Sequence, residues 1–427
     1  MKAYMIKSTF IYLNNVHKLI ALILCMTISG VVFSQESPEW LEQDQCYSCH
    51  LENEVLPESF SLNDIHMQAE ISCSGCHGGD KSSDDFDQAK SSKAGFVEKP
   101  TKTKTPQFCG KCHSDLEYMR AFRPMIQTDQ EAQYYTSVHG QRLRKGDLNV
   151  ADCTNCHAVH SIMPAQDPRS TVHPFKLPQT CNSCHGDAEY MKSYNIPTSQ
   201  YDEYVGSVHG KALLENQDTG APVCNDCHGN HGATPPGVSS ISHVCGTCHV
   251  NNMRYFATTR MAAAFAEQEL HACEECHGNH AVKRTGDKML GAGDESVCVD
   301  CHANGEKGYQ VGVEMRSMLE ELVSMYDSAQ VAYKNVQRIG MNDIDIGFTL
   351  QESKQKLIQS RTLVHSFETA NIAKSTKEGI QLADAAINMA QKEISDYNVR
   401  RRGFGIATIF ITVLVVALFL KIRDIEK

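Results

Sequence analysis

The stretch CNDCHGNHGATPPGVSSISHVCGTCH, Cys224 to His249, holds two Cys-x-x-Cys pairs, each followed at once by a histidine, His228 and His249. Two further histidines, His231 and His243, stand between the motifs. So dense a pattern of cysteine and histidine needs a chemical reason. It also raises the question of whether the two extra histidines serve the same chemistry as the motifs.

The same motif recurs along the chain. It occurs at Cys46-Cys49-His50, Cys73-Cys76-His77, Cys109-Cys112-His113, Cys153-Cys156-His157 and Cys181-Cys184-His185. After the pair already quoted, Cys224-Cys227-His228 and Cys245-Cys248-His249, come Cys273-Cys276-His277 and Cys298-Cys301-His302. These nine motifs use eighteen of the nineteen cysteines. A Cys-x-x-Cys pair can be a zinc half-site, a dithiol redox pair or a haem attachment site. Only the last requires histidine directly after the second cysteine. Histidine is 20 of 427 residues, so nine such histidines would arise from composition alone at roughly 10⁻¹². The sequence therefore predicts nine covalent haem c groups. Each is held by two thioethers, with the motif histidine as proximal ligand.

With haems this closely spaced, the macrocycles supply much of the apolar interior. The expected fold is mostly α with extensive loops: a haem-packed cytochrome domain, a C-terminal helical stalk and one transmembrane helix. At the N-terminus Lys2, Lys7 and Lys18 precede the apolar run Leu19–Phe33, which reads as an export signal over 1–34. Cys25 lies inside that run, as a bystander. Near the other end Phe404–Leu420 is 17 residues without a charge, about 26 Å of helix and enough to cross a bilayer. An exported haem domain then faces the periplasm of a bacterial cytoplasmic membrane, and the tail Lys421–Lys427 is cytoplasmic. The formal net charge of −11 and the lack of a clustered basic patch argue against a nucleic-acid partner and suit a partner with a basic face.

The expected organisation is a signal over 1–34, an N-terminal di-haem module over 35–80 and a polar linker over 81–107. A seven-haem repeat domain over 108–307 follows, then a stalk over 308–400 and the membrane helix with its tail over 401–427. The repeat is explicit. CGKCHSDLEYM, SVHG and CTNCHAVH from Cys109 return as CNSCHGDAEYM, SVHG and CNDCHGNH from Cys181. They return again as CGTCHVNNMRY, ELHA and CEECHGNH from Cys245, and Cys298 opens a fourth unit that stops after one motif. A di-haem unit used three times predicts an elongated row of haems. Past Gly308, apolar residues recur at helical spacing in three stretches, including Met315, Leu319 and Leu322, then Leu350 and Leu357, then Ala383 and Ala390. Gly340 separates the first two helices, and Ser375 with Glu378 reads as a capping box for the third. Nothing in the sequence interrupts that third helix before the membrane span.

Nine histidines remain once the motifs, His17 and His365 are set aside: His66, His139, His160, His173, His209, His231, His243, His271 and His280. Nine irons need nine second axial ligands. His160, His231 and His280 lie three residues after a proximal histidine, too few to round the edge of the same ring, so each is expected to ligate a neighbouring haem. His243 and His271, just before a haem-binding cysteine, face the same constraint. His139 and His209 sit in SVHG, where glycine permits close approach to a ring. On this reading all four histidines of the opening stretch bind iron. His365 reads as one face of the stalk, and Met119, Met191 and Met253 as packing residues.

Over Cys46–His302 the chain resembles the multihaem c-type cytochromes of the doubled-CxxCH type, and the tetrahaem cytochrome that receives electrons from hydroxylamine oxidoreductase. The C-terminal helices and single span are similar to haem subunits of bacterial quinol-linked membrane complexes, which pair with a b-type cytochrome. The anchor is C-terminal here, unlike the N-terminal anchor of quinol-dehydrogenase cytochromes. The resemblance implies an electron relay between the quinone pool and periplasmic acceptors. Its partners would be a membrane quinol-oxidising subunit, a b-type cytochrome or iron–sulfur protein, and a periplasmic cytochrome or terminal reductase. The alternative is a multihaem reductase of nitrite, hydroxylamine or an oxidised sulfur compound, with Cys298–His302 as the candidate for an open iron.

Overall fold

The computed structural model describes residues 38–236 and 241–426, the side chains of 241 and 242 excepted. The signal expected over 1–34 lies outside the described residues. The described residues form helices, short 3-10 turns and loops, with no strand among them. They divide into two compact units, one of residues up to Glu131 with Ala151–Ser170, the other of Ala132–Val150 with Thr171 onward. The first repeat thus contributes to both units.

In the first unit, the polar segment expected as a linker over 81–107 is a clasp on the second motif. It holds short helical turns at Phe86–Ala89, Ser92–Ala94 and Lys102–Lys104. Between the first two it folds back, so that the Val97 N–H donates to the His77 carbonyl at 2.7 Å and the Gly79 N–H to the Ala94 carbonyl at 3.1 Å. Gly78 makes this possible: its φ is +66°, and a Cβ there would collide with the Gly95 carbonyl. Lysine and serine content marked the segment as solvent-facing but could not show these backbone bonds.

The second unit ends in three long helices: α1 at Lys307–Arg338, α2 at Ile344–Leu363 and α3 at Thr369–Ile425. Gly340 follows α1 with φ +67°, the left-handed turn that commonly closes a helix. The apolar stripes meet as expected: Met315, Leu319 and Leu322 of α1 are almost fully buried, as are Ala383, Ala386 and Ala390 of α3. The capping box does not form. α3 starts seven residues earlier, capped at Glu368. Ser375 lies inside the bundle, hydrogen-bonded to Ser360 Oγ at 2.9 Å, and Glu378 pairs with Lys356. A local cap signal here yields to tertiary packing: the sequence motif is real, but its serine is used between helices.

Small residues set the helix spacing. Ser353 Oγ donates to the Gly379 carbonyl at 2.9 Å, and a Cβ on Gly379 would come within 2.9 Å of both Leu322 methyls. α3 then continues without a break for 57 residues, about 85 Å. Its last part presents Phe404, Phe410, Val413 and Phe419 more than half exposed, an all-round apolar surface with no protein against it. Among the described residues this is the one helix long and apolar enough to cross a bilayer. We predict that Gly379→Leu, which overpacks α3 against Leu322, lowers stability by about 1–3 kcal/mol. Thermal unfolding followed by far-ultraviolet circular dichroism should show the loss, while Val331→Ala on the exposed face should leave the midpoint unchanged.

Candidate metal centres

Six of the nine motifs fall into two local classes, a first class of the third and fifth and a second class of the second, fourth, sixth and eighth. The second, fourth, sixth and eighth sit on short helices, Cys73–His77, Cys153–His157, Cys224–His228 and Ala272–His277. Each is closed by a residue of positive φ: Gly78 at +66°, Ala158 at +62°, Gly229 at +84° and Gly278 at +72°. The chain therefore reverses directly after the histidine. The third and fifth instead end the nine-residue helices Thr105–His113 and Leu177–His185, each with proline in its first turn, where a missing N–H costs nothing. The SVHG segments are helix starts. Ser137 and Ser207 accept from the Gly140 and Gly210 N–H groups at 2.9 and 3.0 Å. Glycine is required there because a Cβ would strike the carbonyls of Tyr134 and Tyr204. The close approach described here is to backbone.

Six histidine ring pairs each join one motif histidine to one histidine outside the motifs. The centroids are 6.0 Å apart for His113 and His66, 6.3 Å for His77 and His160 and 6.1 Å for His185 and His139. They are 6.3 Å apart for His249 and His209, 5.9 Å for His228 and His280 and 6.1 Å for His277 and His365. Two imidazoles on opposite sides of one iron, each bonded at about 2 Å, hold their centroids roughly 6 Å apart. Ordinary ring packing covers the same range; the exclusive match of motif to non-motif histidine sets these pairs apart. The pairs also follow the two classes, and the seventh motif, whose helix Ile241–Gly246 stops before its histidine, pairs in the direction of the first class. Third, fifth and seventh motif histidines meet a partner from upstream, whereas second, sixth and eighth meet one from downstream.

The surroundings favour a neutral ring held for ligation. His77 Nδ1 lies 3.0 Å from the Val97 carbonyl, His228 Nδ1 3.3 Å from that of Thr234 and His365 Nδ1 3.0 Å from that of Thr362. Donation from Nδ1 leaves Nε2 as the lone pair for a metal. Asp64 orients His66 through Nδ1 at 3.0 Å. Burial opposes the Asp64 carboxylate, but hydrogen bonds from His66 and Ile162 outweigh it and hold the group below its usual range. Burial first, then a neighbouring histidine, pushes His160, His185, His209, His277 and His280 below the ordinary imidazole range. Burial likewise lowers His365 against an opposing hydrogen bond from Thr362. Hydrogen bonds from a partner thiol lower Cys109 and Cys224, but other motif thiols point away from a thiolate site. Burial raises Cys46, Cys76 and Cys276 to about 11, where zinc would need them depressed. Among the described residues no three His, Cys, Asp or Glu groups converge on a bare ion.

The cysteines also give an order. The first cysteines of paired motifs hydrogen-bond: Cys109 with Cys153, Cys181 with Cys224 and Cys245 with Cys273. In three pairs the second cysteine of the later motif faces the next motif: Cys76 feels Cys112 and Cys109, Cys227 feels Cys248, and Cys276 feels Cys298 and Cys301. Within each unit, consecutive motifs in the sequence are neighbours in space.

The remaining expected ligands stand elsewhere. His173 is buried, with Nδ1 accepting from the Phe175 N–H at 3.3 Å and its ring beside that of Phe175. His271 pairs through Nδ1 with Glu274, and His243 is exposed on the helix Ile241–Gly246. His231 occupies the same repeat position as His160 and His280. Of the motif histidines, His50 and His302 face no second imidazole among the described residues. The His302 ring lies against Gly308 at the start of α1, where any Cβ would run into it. The residue that sequence reading missed is His365, set aside as a face of the stalk. A signal existed in the sequence: His77 and His228 have a histidine to draw on in the next repeat, whereas His365 is the only histidine after His302.

Two family models match the chain: cytochrome c3 over residues 65–186, and cytochrome c554 and c-prime over residues 30–78. No curated protein and no solved structure matches it. With the motifs and ring pairs, these partial matches support a multihaem c-type cytochrome with covalently bound haem c and an electron-transfer role. We predict that His280→Ala converts one ferric haem, that of Cys224–His228, from low to high spin. Electron paramagnetic resonance should show one new high-spin equivalent, whereas His173→Ala should leave the spin count unchanged.

Proposed function

We propose that the protein is a nonahaem electron relay, anchored by α3 in the bacterial cytoplasmic membrane with its haem domain in the periplasm. It would pass electrons between the quinone pool and periplasmic acceptors. The observation that carries this reading is the alternation of thiol contacts, which within each unit makes each motif the neighbour of the next. Haem supplies a reversible one-electron couple. The protein holds each macrocycle by two thioethers, fixes both axial imidazoles and keeps consecutive groups close. Six imidazole pairs leave no free axial position at their centres, which favours transfer over substrate chemistry.

The membrane part of the proposal rests on α3. Neither Phe404–Leu420 nor the tail to Lys427 contains a histidine, so the span offers no pair of imidazoles for a haem of its own. A quinol-oxidising partner, a b-type cytochrome or iron–sulfur protein, would deliver electrons at the membrane surface. A periplasmic cytochrome or terminal reductase would take them away. Acidic composition, at a formal net charge of −11, suits soluble partners with a basic docking face.

The surroundings of His302 support a second reading, a multihaem reductase. Its Nδ1 lies 3.5 Å from Glu306, and glycine rather than an imidazole packs on its ring. The two readings separate on one titration. The relay predicts no carbon monoxide binding at the six paired centres and no turnover of nitrite or hydroxylamine. A reductase would bind one ligand at the ninth motif and turn over.

Deleting Phe404–Lys427 should release a soluble protein with all nine haems, counted by pyridine haemochrome, because every motif precedes α1. The same protein should lose reduction by a menaquinol analogue in membranes that reduce the full chain. Retention in the membrane would refute the anchor assignment, and unchanged quinol reduction would refute the need for a partner at the bilayer.

A further inference from the structure

We infer that His365, in the turn between α2 and α3, is the distal ligand of the haem carried by Cys273–His277, so that the membrane-anchoring helices are clamped to the electron path by a coordination bond. The inference rests on the reading of the six pairs as two-imidazole iron centres and takes it into a part of the chain that neither family match reaches.

The position of His365 is built rather than accidental. It lies in the 3-10 turn Val364–Ser366, between the end of α2 and the start of α3, and Phe367 beyond it has φ +52°. A non-glycine residue in that region is strained and is kept only where its surroundings demand it. The demand is visible. Phe367 packs with Met315, Leu363 and Ile372 in a cluster that also takes in Tyr255, from the helix after the seventh motif, and Leu290. Arg361, four residues before His365, makes a two-pronged pair with Asp287 at 2.9 and 2.7 Å. Arg316 of α1 donates to the Ala292 carbonyl at 2.9 Å. Three contacts from the 287–292 loop and one from the seventh-motif helix thus fix the turn against the haem-bearing part of the same unit.

Held in this way, the His365 ring stands 6.1 Å from that of His277 with 27° between the planes. The His77 and His160 pair has 6.3 Å and 27°. His365 Nδ1 is occupied by the Thr362 carbonyl, which leaves Nε2 for the metal. The repeat explains why the stalk supplies this ligand. His77 takes His160 and His228 takes His280, each from the next repeat unit. The next unit after His277 is cut short at Cys298–His302 and contains no such histidine, and the stalk supplies the missing one.

A coordination clamp has a consequence that a packing histidine lacks: the spin state of one haem depends on the fold of the anchor. The test uses the full-length holoprotein in detergent. His365→Ala should convert one low-spin ferric haem to high spin, create one carbon monoxide site in the reduced protein, and regain the low-spin signal on adding imidazole. His365→Met should leave the number of low-spin haems as in the parent protein while one reduction potential rises, because a thioether ligand favours the ferrous state. If His365→Ala fails to assemble its haems, the potential of the His365→Met protein decides, and no shift overturns the inference. His280→Ala is the parallel measurement on a pair outside the stalk. A spin change with His280→Ala but none with His365→Ala overturns the inference and leaves the two-imidazole reading standing. No change with either variant overturns both.

Discussion

Axial coordination is the constraint on which the rest of this structure depends. An iron fixed by a motif histidine on one face needs a second imidazole on the other, and that imidazole must come from a different stretch of chain. Each such bond would tie together segments far apart in sequence: Asp64–His66 with the third motif, the Val159–Ile162 turn with the second, and the stalk with the eighth. This is why short helices with little core of their own can be ordered. Outside the stalk, the buried apolar clusters are small, such as Tyr134, Leu143 and Val150 or Leu213, Ala221 and Val223. Burial of a few such side chains, at about 25 cal/mol per Å², does not by itself define a fold of this length. Covalent haem attachment and coordination replace the missing core.

The positive-φ residue after each second-class motif is the local device that makes this topology possible. Gly78, Gly229 and Gly278 turn the chain back at once, and Ala158 does so at a conformational cost that glycine avoids. The reversal carries the downstream histidine away from its own motif and toward a neighbour. First-class motifs end longer helices instead and draw their partner from upstream. Two motif classes with opposite partner directions interlock consecutive units, and the alternating thiol contacts follow from the same arrangement.

The nine motifs, the di-haem repeat, the three-helix stalk and the terminal apolar helix were all legible in the sequence, because each is a spacing pattern. The need for distal histidines was legible as well, from the count. Their pairing was not, since spacing says which histidine cannot reach its own haem but not which neighbour it meets. His365 escaped notice because it sits among stalk residues and a helical face accounted for it. Only the opposed ring of His277 and the truncated last repeat give it another meaning. Ser375 and Glu378 erred the other way: a genuine capping pattern was overridden when Ser360 and Lys356 offered partners across the bundle. The clasp over 81–107 was hidden for a related reason. Its composition is that of a solvated loop, and its order resides in backbone bonds to His77 and Gly79.

An anomalous iron map of the crystallised holoprotein tests the central claim most directly. The account predicts an iron between the rings of each of the six pairs, including His277 and His365, with the irons of each unit following the order of their motifs along the chain. An empty space between paired rings, or an iron bonded there to a histidine from another motif, would contradict it.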